Sequence, residues 1–227
     1  MRKQFFLVFA CVSFLYASSQ PAMSDSIRKT KKDSAMYAMI HEDSIKIEKQ
    51  FAESEKWEKI SARIEYPLLK GGQFSGIIPV KEVNEIPDPN IDYKLLFELT
   101  LHNPDSIAKE INNGLNEIAR VINLHIASGI PAKRIMPVIV VHGQALDAIK
   151  NNEAYQKKYK LDNPNIKLVS DLKNVGSKFI ACGQAMAFFD VKKEDLLPEI
   201  KISLTAQTVL SHYQLKGYVL YEIAEQK

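Results

Sequence analysis

Apolar residues recur with different rhythms in different stretches of the chain. Met36, Ile40, Ile47, Phe51, Trp57, Ile60 and Ile64 fall mostly at steps of three, four and seven, with Glu42 and Lys46, and Glu55 and Lys59, at helical pair spacing. This predicts an amphipathic helix over 36–64 inside a charged helical arm, residues 20–65. Its stripe is expected to pack on the main domain or a sister subunit, because a membrane-seeking helix carries a net basic polar face. A frayed, partly ordered arm is the other reading. Pro67, Gly71, Gly72, Gly76, Pro79, Pro87 and Pro89 then interrupt regular structure and mark 66–92 as a connector. Over 93–227 compact apolar runs alternate with helical stretches, which predicts an α/β domain with a largely parallel sheet.

Five runs read as strands: Lys94 to Leu101, Pro137 to His142, Lys178 to Cys182, Ile200 to Leu204 (the weakest) and Tyr218 to Ile223. Between the first two, Asn103-Pro104 reads as a helix opening, with Ile107, Ile111, Leu115, Ile118, Ile122 and Ile126 on one face and Gly129 and Pro131 as the stop. Ala145 to Tyr159 fills the next crossover, followed by a short helix opened by Asn163-Pro164 and closed by Gly176. Gln184 to Phe189 and Thr205 to Lys216 read as further helices.

Composition adds 46% hydrophobic and 25% charged side chains, an ordinary globular balance. Lys and Arg number 30 against 27 Asp and Glu, a net charge of +3 that gives no basis for nucleic-acid binding. Arg2 and Lys3, the apolar run from Phe5 to Ala17 and the small residues Ala17-Ser18-Ser19 have the order of a secretory signal peptide cleaved near Ser19. The run is short for a membrane-spanning helix, so no stable membrane insertion is expected after cleavage, although a retained anchor is the other reading. Cleavage removes two positive charges and Cys11, leaving a net +1 and Cys182 alone in a periplasmic or secreted protein. In such a compartment an unpaired thiol is either buried and inert or reactive.

Ligands of open parallel sheets bind beyond the carboxyl ends of the strands. His102-Asn103, His142-Gly143-Gln144 and Cys182-Gly183-Gln184 fall there. Cys182 precedes Gly183 and a helix start, where unpaired backbone N–H groups and the helix dipole favour thiolate, the form that attacks or carries sulfur. His142 is expected to add a hydrogen bond or a positive charge, and Gly183 to let a partner's sulfur approach closely. The plain alternatives are a small buried hydrophobe for Cys182 and a capping or core histidine for His142. His125 and His212 lie on helices and read as packing or surface residues. Walker, dinucleotide, nucleophile-elbow and His-Glu-x-x-His motifs are absent, and the spacing of Cys and His offers no metal site. Lys70-Gly71-Gly72 reads as a bend and not a phosphate cradle. No cofactor is expected.

Val140-Val141-His142-Gly143-Gln144-Ala145-Leu146-Asp147, Asn163-Pro164-Asn165-Ile166, Phe179-Ile180-Ala181-Cys182-Gly183-Gln184-Ala185-Met186, Glu194-Asp195-Leu196-Leu197-Pro198 and Gly217-Tyr218 resemble, in order and spacing, the DsrE/DsrF-like family. Gly76-Ile77-Ile78-Pro79-Val80 is similar to its exported subgroup. The resemblance implies a three-layer α/β/α fold with a five-stranded parallel sheet, here preceded by the N-terminal helical arm, and assembly into trimers or hexamers. It also implies that Cys182 matches the cysteine that sulfur-relay members load as a persulfide, with Gly183 and Gln184 in the adjoining motif and thiol or persulfide donor and acceptor proteins as partners. His142, Gly143, His102 and Asn103 remain candidate binding contacts. An oligomeric small-ligand-binding module with Cys182 lining the pocket, and a structural protein assembled through the arm, are the alternative functions.

Overall fold

The structure is a computed structural model and describes residues 25–225; the signal segment expected at 1–19 lies outside the described residues. The chain divides into two compact units, the first ending at Lys56 and the second beginning at Trp57.

Helix α1 (Asp25–Ser61), whose last five residues belong to the second unit, starts well before the predicted position 36. Arg28, Lys29, Lys31 and Lys32 are good helix formers, so the helix runs through them without needing an apolar stripe. Met36, Ile40, Ile47 and Phe51 are more than half exposed.

In the second unit, β1 (Tyr93–Leu99), β2 (Ile135–Val141), β3 (Lys178–Cys182), β4 (Lys201–Ser203) and β5 (Val219–Ile223) form one sheet in the order β4-β3-β2-β1-β5. Every pairing is parallel. The neighbouring inner strands β1 and β2 bury side chains on both faces, with Leu96, Phe97, Leu99, Ile139, Val140 and Val141 fully enclosed. One face packs against α2 (Asn113–Ala127) and α4 (Ile166–Asn174) through Leu115, Ile118, Ile122, Leu168 and Leu172. The other face, carrying Leu96, Val138, Val140, Ile180 and Cys182, packs against Ala206, Leu210 and Tyr213 of α6 (Ala206–Leu215). The result is the three-layer α/β/α arrangement expected.

Several helix starts differ from the sequence reading. Asn103-Pro104 leads only into a 3-10 turn at Asp105–Ile107, and α2 starts beyond Asn112, whose side chain accepts from the Leu115 N–H (3.1 Å). Asn103 cannot cap, because its oxygen already accepts from the Asn113 N–H (2.9 Å) and its amide donates to the Ile111 carbonyl (3.2 Å). The stretch from Ala145 to Tyr159 splits into a 3-10 segment, Gly143–Ile149, and α3 (Asn152–Tyr159), where Asn151 caps by accepting from the Ala154 N–H.

The connector is more ordered than its prolines suggest. Asn123, fully buried on α2, accepts from the N–H groups of Leu68 and Leu69 (3.1 and 2.9 Å) and donates to the carbonyls of Leu69 and Ser75 (2.7 and 2.9 Å). A Cβ on Gly71 would lie 2.7 Å from Asn116 Oδ1. The glycines of this bend therefore serve close packing against α2.

Candidate functional site

Register brings β2, β3 and β4 level at their carboxyl ends, with Val141 paired to Ala181 and Cys182 paired to Ser203. Successive strand side chains alternate faces. Ala181 belongs to the α2 and α4 side, whereas Cys182 belongs to the α6 side. The thiol is free and 4% exposed.

Its polar partner comes from a helix other than the one expected. The Ala206 N–H, at the first residue of α6, donates to Cys182 Sγ at 3.2 Å. That N–H is among the first four of the helix, which have no partner within it, and the helix dipole adds positive potential there. Both favour sulfur that carries negative charge. Cys182 is also the residue that precedes the short helix α5 (Gly183–Phe188), but its side chain makes no bond to that helix. At the start of that helix the Gln184 N–H donates to the Leu204 carbonyl (3.1 Å).

Gly183 has a structural task that differs from the expected one. A Cβ there would lie 2.6 Å from the Ser203 carbonyl oxygen, so glycine admits this chain's own β4 end rather than a partner's sulfur. The Gln184 side chain is exposed. Phe188, Phe189 and Leu204, in the segments leading away from Cys182 and β4, are exposed by 83%, 40% and 76%.

His142 follows β2 and its N–H donates to the Leu99 carbonyl (3.1 Å). Its Nε2 lies 2.8 Å from Glu98 Oε1, and both side chains are about a quarter exposed. The hydrogen bond expected toward Cys182 is thus given to Glu98 by this nitrogen. Glu98 is on β1, between Phe97 and Leu99, which face the α2 and α4 side, so it shares the α6 side with Cys182. Gly143 follows at φ +64°, a left-handed conformation that turns the chain into the 3-10 segment and suits glycine.

His102 and Asn103 belong to a different cluster. His102 Nε2 lies 3.2 Å from the Tyr159 hydroxyl and 3.4 Å from Asp147 Oδ2. Asp147 also takes Lys150 (2.6 Å), Lys158 (2.8 Å) and the Tyr159 hydroxyl (2.6 Å). Burial pushes the Asp147 carboxyl up, yet the hydrogen bonds from Lys150, Lys158 and Tyr159 outweigh it and hold the group at about 2. The same burial, with the negative charge of Asp147, pushes the Tyr155 hydroxyl up to about 12. Buried asparagines join this cluster to the helix starts: Asn165 accepts from the Asn112 N–H (2.6 Å), and Asn163 donates to the Lys150 carbonyl (2.6 Å). The cavity between His102, Asn103, Asp147, Tyr155, Tyr159 and Asn165 is about 10 Å³, room for roughly one water. Its chemistry is that of a structural polar core.

Of the predicted residues, then, Cys182, Gly183, Gln184, His142 and Gly143 gather at one sheet edge, while His102 turns to Asp147 and Asn103 to the start of α2. The places of Glu98 and of the α6 start in this site were missed, although the helix itself was expected from Thr205. Glu98 had a signal, as the only charge in the run Leu95-Leu96-Phe97-Glu98-Leu99. Ala206 had none, because its position depends on the β3–β4 register. Among the described residues no group of three or more His, Cys, Asp or Glu side chains is placed to hold a metal ion. No described helix is long and apolar enough to cross a membrane.

A family model described as the DsrE/DsrF-like family matches residues 94–221. No curated protein matches the chain. Among solved structures, a protein of unknown function from Methanobacterium thermoautotrophicum is similar at 18% identity and a TM-score of 0.42, over 58% of this chain and 99% of its own.

Proposed function

Because the chain belongs to the DsrE/DsrF-like family, we propose that it binds or transfers sulfur through Cys182. The observation that carries this reading is the Ala206 N–H on Cys182 Sγ at 3.2 Å, a helix-terminal donor aimed at the one free thiol of the described residues. The Cys182 thiolate attacks the outer sulfur of a donor persulfide. The donor's S–S bond breaks, its electron pair leaves with the inner sulfur as a thiolate, and Cys182 is left as a persulfide. An acceptor thiolate repeats the exchange in the other direction and regenerates the Cys182 thiolate. With a disulfide donor the same attack gives a mixed disulfide and releases the second thiolate. The partners are thiol- or persulfide-bearing donors and acceptors.

The protein acts in the periplasm or as a secreted protein after loss of residues 1–19, and as a homo-oligomer, a trimer or hexamer. Assembly is supported by apolar side chains left exposed around the sheet, with Leu204, Leu215 and Val219 exposed by 76%, 89% and 59%. Incubation of the mature protein with inorganic polysulfide, followed by intact mass, is expected to show one added sulfur that a reducing thiol removes. Cys182→Ala should show none. Equal uptake by Cys182→Ala, or no uptake by the wild type, overturns the reading.

One observation favours a second reading. Cys182 packs with Leu96, Val140 and Ile180, and at 4% exposure it resembles a core residue. An oligomeric small-ligand-binding module with Cys182 at its edge would keep ligand affinity and assembly in Cys182→Ala.

A further inference from the structure

Across the α6 side of the sheet, the side chains nearest the carboxyl edge are Glu222 on β5, Glu98 on β1, His142 after β2 and Cys182 on β3, in strand order. Glu98 is level with Glu222 and with Val140, and His142 lies two residues beyond Val140, level with Cys182 by continuation of the pairing of Val141 with Ala181. His142 thus occupies the position between the strand that carries the carboxylate and the strand that carries the thiol. The carboxylate contact is made: His142 Nε2 to Glu98 Oε1 is 2.8 Å. A carboxylate only accepts, so Nε2 carries the proton, and in neutral imidazole Nδ1 is then left with its lone pair. No hydrogen bond to Nδ1 is described. A carboxylate that fixes the tautomer and orientation of a histidine beside a nucleophile is the arrangement that lets the ring take the nucleophile's proton.

We propose that Glu98 is a positioning residue that holds His142 as the proton acceptor for Cys182. The inference rests on the reading of Cys182 as a sulfur carrier. His142 Nδ1 takes the Cys182 thiol proton, giving imidazolium and thiolate; the thiolate attacks the donor's outer sulfur; and the departing donor thiolate takes the proton back from His142. Each cycle returns the ring to its starting tautomer, and no proton is gained or lost. The Ala206 N–H and the His142 ring then divide the work, one stabilising the sulfur anion and the other handling its proton. The charged and titratable groups of α6 take no part at this edge. Tyr213 accepts from Lys178 Nζ (2.8 Å) and the Lys216 carbonyl accepts from Lys94 Nζ (3.1 Å), both at the amino ends of the strands, and His212 is the immediate neighbour of Tyr213.

The test uses the full mature chain at roughly pH 8, above the ordinary histidine range. Histidine ring nitrogens are labelled for NMR, and Cys182 is followed both by polysulfide uptake and by iodoacetamide alkylation. The wild type is expected to show His142 protonated on Nε2. Glu98→Leu should lose that single tautomer and slow both Cys182 reactions by about tenfold, the size of effect that removal of a histidine-orienting partner produces. Glu98→Gln, whose amide oxygen still accepts from Nε2–H, should restore the tautomer and most of the rate. His142→Gln should be as slow as Glu98→Leu, and the double variant no slower than either. A wild-type ring protonated on Nδ1, an unchanged rate in Glu98→Leu, or an unchanged rate in His142→Gln overturns the proposal; the last applies even where Glu98→Leu does not fold. Should the wild type take up no sulfur, the sulfur reading fails, while the alkylation rates of the same variants still decide the role of Glu98.

Discussion

Gly183 and Cys182 show how two adjacent residues divide their tasks. The missing Cβ of Gly183 lets the Ser203 carbonyl come close, and that approach sets the β4 end from which α6 departs to place its N–H on the sulfur. Gly183→Ala is expected to destabilise the protein by about 1–3 kcal/mol, since the obstacle is backbone and cannot rotate away. Denaturant unfolding measures this, and a change below about 0.5 kcal/mol would show that β4 yields without cost. Asp147 makes a second residue-scale case. Its carboxyl is held at about 2, below its ordinary value of 3.8. A depressed folded value means that the stabilisation is fully present above the unfolded value and is lost as pH falls toward the folded one. The wild type should therefore lose more stability than Asp147→Asn between roughly pH 4 and pH 2, with Asp147→Asn the less stable protein at neutral pH. Parallel slopes for the two proteins in that window would contradict the assignment.

At the scale of elements, the strands were legible from their short apolar runs between turn signals, and all five appear within a few residues of the expected bounds. Helix starts were less so. Asn103 and Asn112 offer the same capping chemistry, and only the fold decides that Asn103 spends its side chain on the Ile111 carbonyl and the Asn113 N–H while Asn112 caps α2. Asn112→Ala is expected to cost about 1–2 kcal/mol or more, because its amide also donates to the Leu101 carbonyl (2.9 Å). Thermal unfolding that leaves Asn112→Ala level with the wild type would assign the cap elsewhere. The same limit explains the site. Cys182 at a strand end could be read from the sequence, and so could the oddity of Glu98 in an apolar strand. The donor from α6 could not, because residues 182 and 206 meet only through the register of β3 with β4.

At the scale of the whole molecule, the two faces of the sheet are unequal. The α2 and α4 side is closed by helices and by the connector's Leu69, whereas α6 alone covers the other side. Leu215, the last residue of α6, is exposed by 89%. Self-association through this side would cover it, and Leu215→Glu should lower the mass in solution to that of one chain. An oligomer unchanged by the substitution would exclude this surface. This inequality of the faces also places the thiol: Cys182 is on the thinly covered side, screened by the start of α6 rather than by a full helical layer.

Native alkylation of Cys182 tests the central claim most directly. A thiol that carries sulfur has to be reached by a donor, even from 4% exposure. Iodoacetamide should therefore modify Cys182 in the folded protein, and prior loading with polysulfide should place the label on the added sulfur, where a reducing thiol removes both together. Modification only after unfolding would contradict sulfur carriage and leave Cys182 as a core residue of the sheet edge.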